Sequence, residues 1–62
     1  MTYQDFWRRL SKTYDEHEAK AIARMVYEVR YGLTLADLLM GRETMIPNEE
    51  TDEAIRRLVL RR

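Results

Sequence analysis

The chain has 62 residues, of which 45% are hydrophobic and 35% charged, and eleven basic residues balance eleven acidic ones. A chain of this length forms one domain at most, and such a domain buries only about 60% of its unfolded surface. The balanced charge disfavours partners held through bulk charge, namely DNA and anionic membranes. The chain has no cysteine for disulfides or thiolate metal sites, and it has no run of the roughly 18 apolar residues that span a bilayer. We therefore expect a cytoplasmic protein.

The first predicted helix runs from Tyr3 to about Thr13, with Thr2 as its N-cap. Aromatic and apolar side chains recur along it at helical spacing and share one stripe. These are Tyr3, Phe6, Trp7, Leu10 and Tyr14. We expect Phe6, Trp7 and Leu10 to form core, because three large side chains on one face are what a small core requires.

The second predicted helix is the longest and runs from Glu16 to Tyr31, capped by Asp15. One face carries Ala19, Ile22, Met25, Val26 and Val29. The opposite face carries Lys20, Arg24, Tyr27 and Tyr31. This basic and aromatic stripe has two interpretations. In the first, the stripe is a partner surface, since tyrosine and arginine are favoured at interfaces. In the second, the helix packs on both sides and the tyrosines lie against helix one or four.

A helix end, a new helix and a second end follow within ten residues, GLTLADLLMG. Gly32 can adopt the left-handed conformation that ends a helix. Thr34 and Asp37 have the spacing of a capping box. The short helix Leu35–Met40 must then be held by packing of its leucines, because so short a helix does not persist alone. Gly41 ends it.

The last predicted helix begins near Glu49, with either Asn48 as its cap or Pro47 in its first turn. Its acidic start and arginine-rich end match the helix dipole. Before it, Met45 and Ile46 are expected to close the bundle end. Its apolar face comprises Ala54, Ile55, Leu58 and Val59, whereas Leu60 points to the other side. The chain stops on two arginines without a helix-ending residue, which favours a fragment of a longer protein over a natural, frayed end.

Together these elements predict an all-α fold, a small orthogonal or irregular bundle of four helices, or five if one is split, joined by short Gly-terminated loops. His17 is the single histidine and is expected at the surface. No nucleophile–base set and no Gly-rich phosphate loop can be assembled. We predict no catalytic, cofactor-binding or metal-binding residue here, so the 62 residues are not expected to be an enzyme by themselves.

Two segments carry a family resemblance: Glu18–Arg24 (EAKAIAR) and Tyr31–Gly41 (YGLTLADLLMG). They resemble the N-terminal helical domain of the bacterial release-factor glutamine methyltransferases, the HemK/PrmC family. Thr2–Leu10 and Glu49–Arg62 also fit the order of that domain, although it is often described with five helices. The resemblance covers essentially the whole chain, and its motifs are helix ends and apolar spacings rather than reactive groups.

In that family the helical domain precedes a C-terminal methyltransferase domain that uses S-adenosylmethionine. The full enzyme methylates the glutamine of the Gly-Gly-Gln motif in class I peptide-chain release factors, and the helical domain helps to recognise the release factor. The resemblance therefore implies a substrate-recognition domain. The family's Asn-Pro-Pro-Tyr motif and Gly-rich cofactor loop have no counterpart here, so no catalytic or cofactor residue is carried over.

If the chain docks a release factor, the expected contacts are the exposed basic and aromatic side chains. These are Arg8, Lys12, Arg24, Tyr27 and Tyr31. Two alternatives remain open. One is a free-standing helical interaction or oligomerisation module, with Leu60 and the tyrosine stripe as its interface. The other is a helix-turn-helix nucleic-acid binder, which Asp37 and the lack of a basic side chain before Arg42 disfavour.

Overall fold

Four α-helices account for most of the chain in the computed structural model, which describes residues 1–61 and contains no strand in that range. They are α1 (Tyr3–Leu10), α2 (Glu16–Met25), α3 (Leu35–Leu39) and α4 (Asn48–Arg61). A π-helical turn, Val26–Arg30, continues α2, and a 3-10 turn, Arg42–Met45, follows α3. The predicted all-α bundle of four helices is confirmed. Arg62, the end of the predicted last helix, lies outside the described residues.

Side-chain caps start the first three helices, as predicted. The side chains of Thr2, Asp15 and Thr34 each accept a hydrogen bond from the backbone N–H three residues later. At Thr34 the bond is reciprocal, because the Asp37 carboxylate accepts from the Thr34 N–H at 2.9 Å. The predicted capping box is therefore present, and it fixes where α3 begins.

Two left-handed glycines end helical segments, also as predicted. Gly32 has φ 67° and Gly41 has φ 75°. Past Gly32, the Leu33 N–H donates to the Tyr27 carbonyl at 3.0 Å, which satisfies a carbonyl left free at the helix end. At the start of α4, the carbonyl of Pro47 accepts from backbone N–H groups inside the helix. Pro47 therefore precedes the helix and Asn48 is its first residue, so neither predicted start, with Asn48 as the cap or Pro47 in the first turn, is correct.

The core draws on α1, α2 with its π turn, and α4. Its buried hydrophobic side chains are at most 5% exposed. They are Phe6, Leu10, Ala19, Ala23, Tyr27, Ala54 and Ile55. Of its three alanines, Ala19 and Ala23 belong to α2 and carry only methyl groups, so the large side chains of α1 can occupy the space between these two helices.

The predicted apolar face of the second helix is correct only in part. Ala19 is buried and Ile22 and Val26 pack against the core, but the other two members of that face do not. Met25 is 56% exposed and Val29 is 78% exposed. The buried row is instead Ala19, Ala23 and Tyr27, which recur at four-residue spacing along one side of the helix. The helix is rotated from its predicted orientation because small residues let α1 approach and Tyr27 fills the remaining volume.

Three smaller expectations also fail. The second helix is not α-helical to Tyr31, since the π turn begins at Val26. Of the leucines in α3, only Leu38 packs against the core, while Leu35 and Leu39 are 53% and 81% exposed. Met45 is 84% exposed and does not close the bundle end, although its neighbour Ile46 packs against the core.

Candidate interaction surface

The indole ring of Trp7 lies beside two cations where α1 meets α2. The ammonium of Lys20 is 4.7 Å from the ring centroid and the guanidinium of Arg8 is 5.8 Å from it. Both distances fall within the range of cation–π attraction. The Tyr3 hydroxyl donates to the carbonyl of Lys20 at 3.0 Å, which joins the two helices at this place. Trp7 is partly buried against the core, so it is held in position while part of its side chain remains accessible to solvent.

Within the described residues, no ion pair joins a carboxylate to the cations around Trp7. The ion pairs among residues 1–61 join Arg9 to Asp52, Arg42 to Asp37 and Arg57 to Glu53. None of them involves a cation near Trp7. Arg24 follows Lys20 by one helical turn and therefore lies on the same side of α2. We call Trp7, Arg8, Lys20 and Arg24 the Trp7 surface. It offers positive charge and an aromatic anchor to an acidic partner.

The structure sorts the predicted contact residues into three groups. Arg8, Lys12 and Arg24 are exposed, as expected, and two of them belong to the Trp7 surface. Lys12 lies in the turn after α1, beyond the helical face that carries Arg8. Tyr31 is partly buried. Tyr27 is 0% exposed, so the expectation that it is available to a partner is wrong.

Tyr27 is the aromatic centre of the core. Its ring centroid lies 5.2 Å from that of Phe6, 6.4 Å from that of Tyr3 and 6.1 Å from that of Tyr31, each in a tilted arrangement. For Tyr27, packing against the first helix is thus the correct one of the two interpretations. Burial raises the pKa of the Tyr27 hydroxyl well above its ordinary value, and the nearby negative charge of Glu43 raises this pKa further.

Glu43 is a buried acidic residue that sequence reasoning missed. Its side chain is 4% exposed, and its Oε2 atom accepts from the Tyr3 backbone N–H at 3.0 Å. Its Oε1 atom and the hydroxyls of Tyr27 and Tyr31 are buried without a hydrogen-bond partner in the part of the chain that is described. Nothing local to Glu43 marks it as buried, because it stands in a polar connection beside Arg42. We interpret this cluster as structural.

The remaining chemistry of the surface is sparse. His17 is exposed, as expected. Within residues 1–61 there is no group of three or more histidine, cysteine or acidic side chains placed to hold a metal ion. Among the helices described, none has the length and apolarity required to cross a membrane.

Comparison of the chain with known protein families, with characterised proteins and with solved structures gives no match.

Proposed function

We propose that this chain is the substrate-recognition domain of a protein-(glutamine-N5) methyltransferase of the HemK/PrmC type. Its partner is a class I peptide-chain release factor. In this proposal the domain performs no catalysis. S-adenosylmethionine and the reactive groups belong to a C-terminal methyltransferase domain of the parent chain. The helical domain holds the release factor so that the glutamine of its Gly-Gly-Gln motif reaches that distant active site, and such positioning lowers the entropic part of the barrier.

The Trp7 surface is the observation that carries this proposal. A recognition domain needs a rigid exposed patch, and Trp7 is fixed between α1 and α2 by core packing and by the adjacent Tyr3–Lys20 bond. The cations beside it are not committed to internal ion pairs, so carboxylates of a partner can bind them. The segments that carry the resemblance also form the helix start at Thr34 and the helix ends at Gly32 and Gly41.

Calorimetric titration of the chain with a purified class I release factor tests the proposal. The double variant Arg8→Glu with Arg24→Glu removes two cations of the Trp7 surface without touching the core. We expect it to weaken binding at least tenfold, because each reversal replaces an attraction by a repulsion. A matched control, Arg56→Glu, reverses an exposed arginine on α4 and is expected to change the affinity less than about twofold.

Unchanged affinity of the double variant would refute the role of the Trp7 surface. A third variant, Lys12→Glu, asks whether the turn after α1 also contacts the release factor. If binding depended on net charge alone, Arg56→Glu and Lys12→Glu would each lose about half as much binding free energy as the double variant, because each reverses one charge and the double variant reverses two. That outcome would also contradict the proposal.

A free-standing interaction or oligomerisation module is the second candidate, because several large apolar side chains are exposed. Leu39 is 81% exposed and Leu60 is 77% exposed. If these side chains form an interface between copies, sedimentation equilibrium will show a mass that rises with protein concentration. Leu39→Glu or Leu60→Glu should then restore the monomer mass. A constant monomer mass up to about millimolar concentration would exclude self-association at any useful strength.

A further inference from the structure

A second surface of the chain is a groove of about 220 Å³ between the π turn of α2 and the C-terminal half of α4. Its apolar lining consists of Met25, Val26, Ala54 and Leu58. Ala54 is buried and Val26 and Leu58 are partly buried, so these three form the floor, and the more exposed Met25 forms a side.

The charged lining of this groove is entirely basic. Arg30, Arg57 and Arg61 line it, and no carboxylate does. Neither Arg30 nor Arg61 takes part in an ion pair within the described chain. Arg57 contacts Glu53 at 2.9 Å, but both side chains are largely exposed (64% and 45%), and exposed pairs of this kind contribute little. All three guanidinium groups are therefore available to carboxylates of a partner.

The π turn supplies one wall of the groove. Val26 and Arg30 are its first and last residues, and π segments are rare and often occur at functional sites. Val29, in the same turn, is 78% exposed and extends the apolar surface beside the groove. Met25 adds a flexible thioether side chain, which adapts readily to the shape of an inserted group.

The size and chemistry of the groove together identify its occupant. Pockets for drug-sized ligands run to roughly 300–1,000 Å³, so this groove suits apolar side chains of a protein segment. No strand edge exists in residues 1–61 to receive an extended peptide. We infer that the groove binds an acidic amphipathic helix of a partner protein, whose apolar face enters between the π turn and α4 while its flanking carboxylates pair with the arginines. The groove shares no residue with the Trp7 surface, so this inference does not depend on the proposed function.

Three synthetic helical peptides of equal length test the inference. They share one apolar stripe with i, i+3, i+4, i+7 spacing and carry glutamate, glutamine or lysine at the flanking positions. Each is titrated into the 15N-labelled chain and followed by NMR. We expect the glutamate peptide to bind at least tenfold more tightly than the lysine peptide and to shift the amides of Val26, Arg30 and Leu58. Equal affinities, shifts confined to other regions, or no binding of the glutamate peptide at millimolar concentration would overturn the inference.

Neighbouring arginines of α4 provide a matched pair of variants. Arg57 lines the groove and Arg56 does not, yet each follows an acidic residue by four positions. Arg57→Glu and Arg56→Glu therefore each place two acidic residues four positions apart, with a similar small helix penalty. Arg57→Glu also removes the exposed pair with Glu53, which contributes little. We expect Arg57→Glu to weaken the glutamate peptide about tenfold and to strengthen the lysine peptide, with Arg56→Glu within about twofold of the parent. Equal effects of the two variants would show that the groove does not select acidic partners.

Discussion

The Oε2 atom of Glu43 accepts a hydrogen bond from the backbone N–H of Tyr3 at 3.0 Å, across 40 positions of the chain. Tyr3 is the first residue of α1, so its N–H has no partner within the helix. An acidic group at this end also interacts favourably with the helix dipole. The buried Glu43 side chain thus connects the 3-10 turn to the start of α1.

Loss of this connection should destabilise the fold. We expect Glu43→Ala to lower the free energy of unfolding by about 1–3 kcal/mol, the cost of leaving a buried donor without its acceptor. Glu43→Gln keeps an oxygen that can accept from Tyr3 and should lose less than half of that amount. Urea denaturation of the three proteins measures the difference. A Glu43→Ala variant as stable as the parent would show that the bond is not formed in solution.

Removal of the Tyr14 hydroxyl and removal of the Tyr27 hydroxyl should affect the stability of the protein differently. The Tyr14 hydroxyl donates to the carbonyl of Leu58 at 2.8 Å, so Tyr14→Phe should lose about 1 kcal/mol of stability. The Tyr27 hydroxyl is buried without a hydrogen-bond partner in the described residues. Tyr27→Phe should therefore be neutral, or stabilising by up to about 1 kcal/mol. The denaturant midpoints of the two variants and the parent at neutral pH measure these differences in stability. A large loss of stability in Tyr27→Phe would contradict the burial of an unpaired hydroxyl.

Alkaline pH should destabilise the parent more than Tyr27→Phe. The pKa of Tyr27 is raised above its ordinary value of 10.0, chiefly by burial. Above pH 10 the unfolded chain therefore releases a proton that the folded chain keeps, and the free energy of unfolding falls as pH rises. The Tyr27→Phe variant has no hydroxyl to ionise at this position, so its free energy of unfolding should fall less steeply as pH rises. Parallel falls in the two proteins would mean that Tyr27 ionises as freely in the folded state as in the unfolded state.

Acid should weaken the start of α3. Hydrogen bonds from the Thr34 backbone and hydroxyl hold the pKa of Asp37 below its ordinary value of 3.8. Their stabilisation is therefore present above that pH and is lost as pH falls through the lowered pKa. Asp37→Asn should remove this acid dependence from the amide exchange of α3. Asp5→Asn is the control, since Asp5 has the same position in α1 without a reciprocal bond to Thr2 among the described residues. An identical acid response in Asp37→Asn and the parent would contradict the capping box.

The chirality of the residue that replaces Gly41 should decide whether the protein loses stability. Its φ is +75°, and a Cβ added there would meet no other atom within 4 Å. An L-alanine should therefore cost about 1–2 kcal/mol through backbone conformation alone. A D-alanine prefers this conformation and should be neutral or stabilising, because it restricts the unfolded chain. A chain of 62 residues is accessible to chemical synthesis, and thermal denaturation compares the two. Equal loss in both would place the cost in packing rather than in φ.

Local signals predicted the side-chain caps of the first three helices and the two left-handed glycines. Thr34 caps α3 and Gly32 adopts its left-handed conformation through interactions with residues a few positions away, so the sequence contains the whole signal. The rotation of α2 could not be predicted in the same way. An apolar row through Met25 and Val29 competes there with a small-residue row through Ala23, and only the fit against α1 decides between them.

The candidate surface was predicted in part. Arg8 and Arg24 are exposed as the helical wheel indicates, but the aromatic member beside them is Trp7 rather than Tyr27. A helical wheel places Trp7 and Tyr27 on stripes of their own helices, but it does not show which of the two side chains lies at the edge of the core. Glu43 was missed because its burial depends on Tyr3, which is far away in the chain. Contacts over such distances leave no periodic pattern in the sequence.

The most direct test of release-factor recognition uses the single tryptophan of the chain. The 15N-labelled chain gives one indole N–H resonance, from Trp7, to which an unlabelled class I release factor is added stepwise. If the Trp7 surface binds the release factor, this resonance and the backbone amides of Lys20 and Arg24 will shift or broaden as the complex forms. The absence of binding, or binding that leaves the Trp7 resonance unchanged, would contradict the proposed recognition.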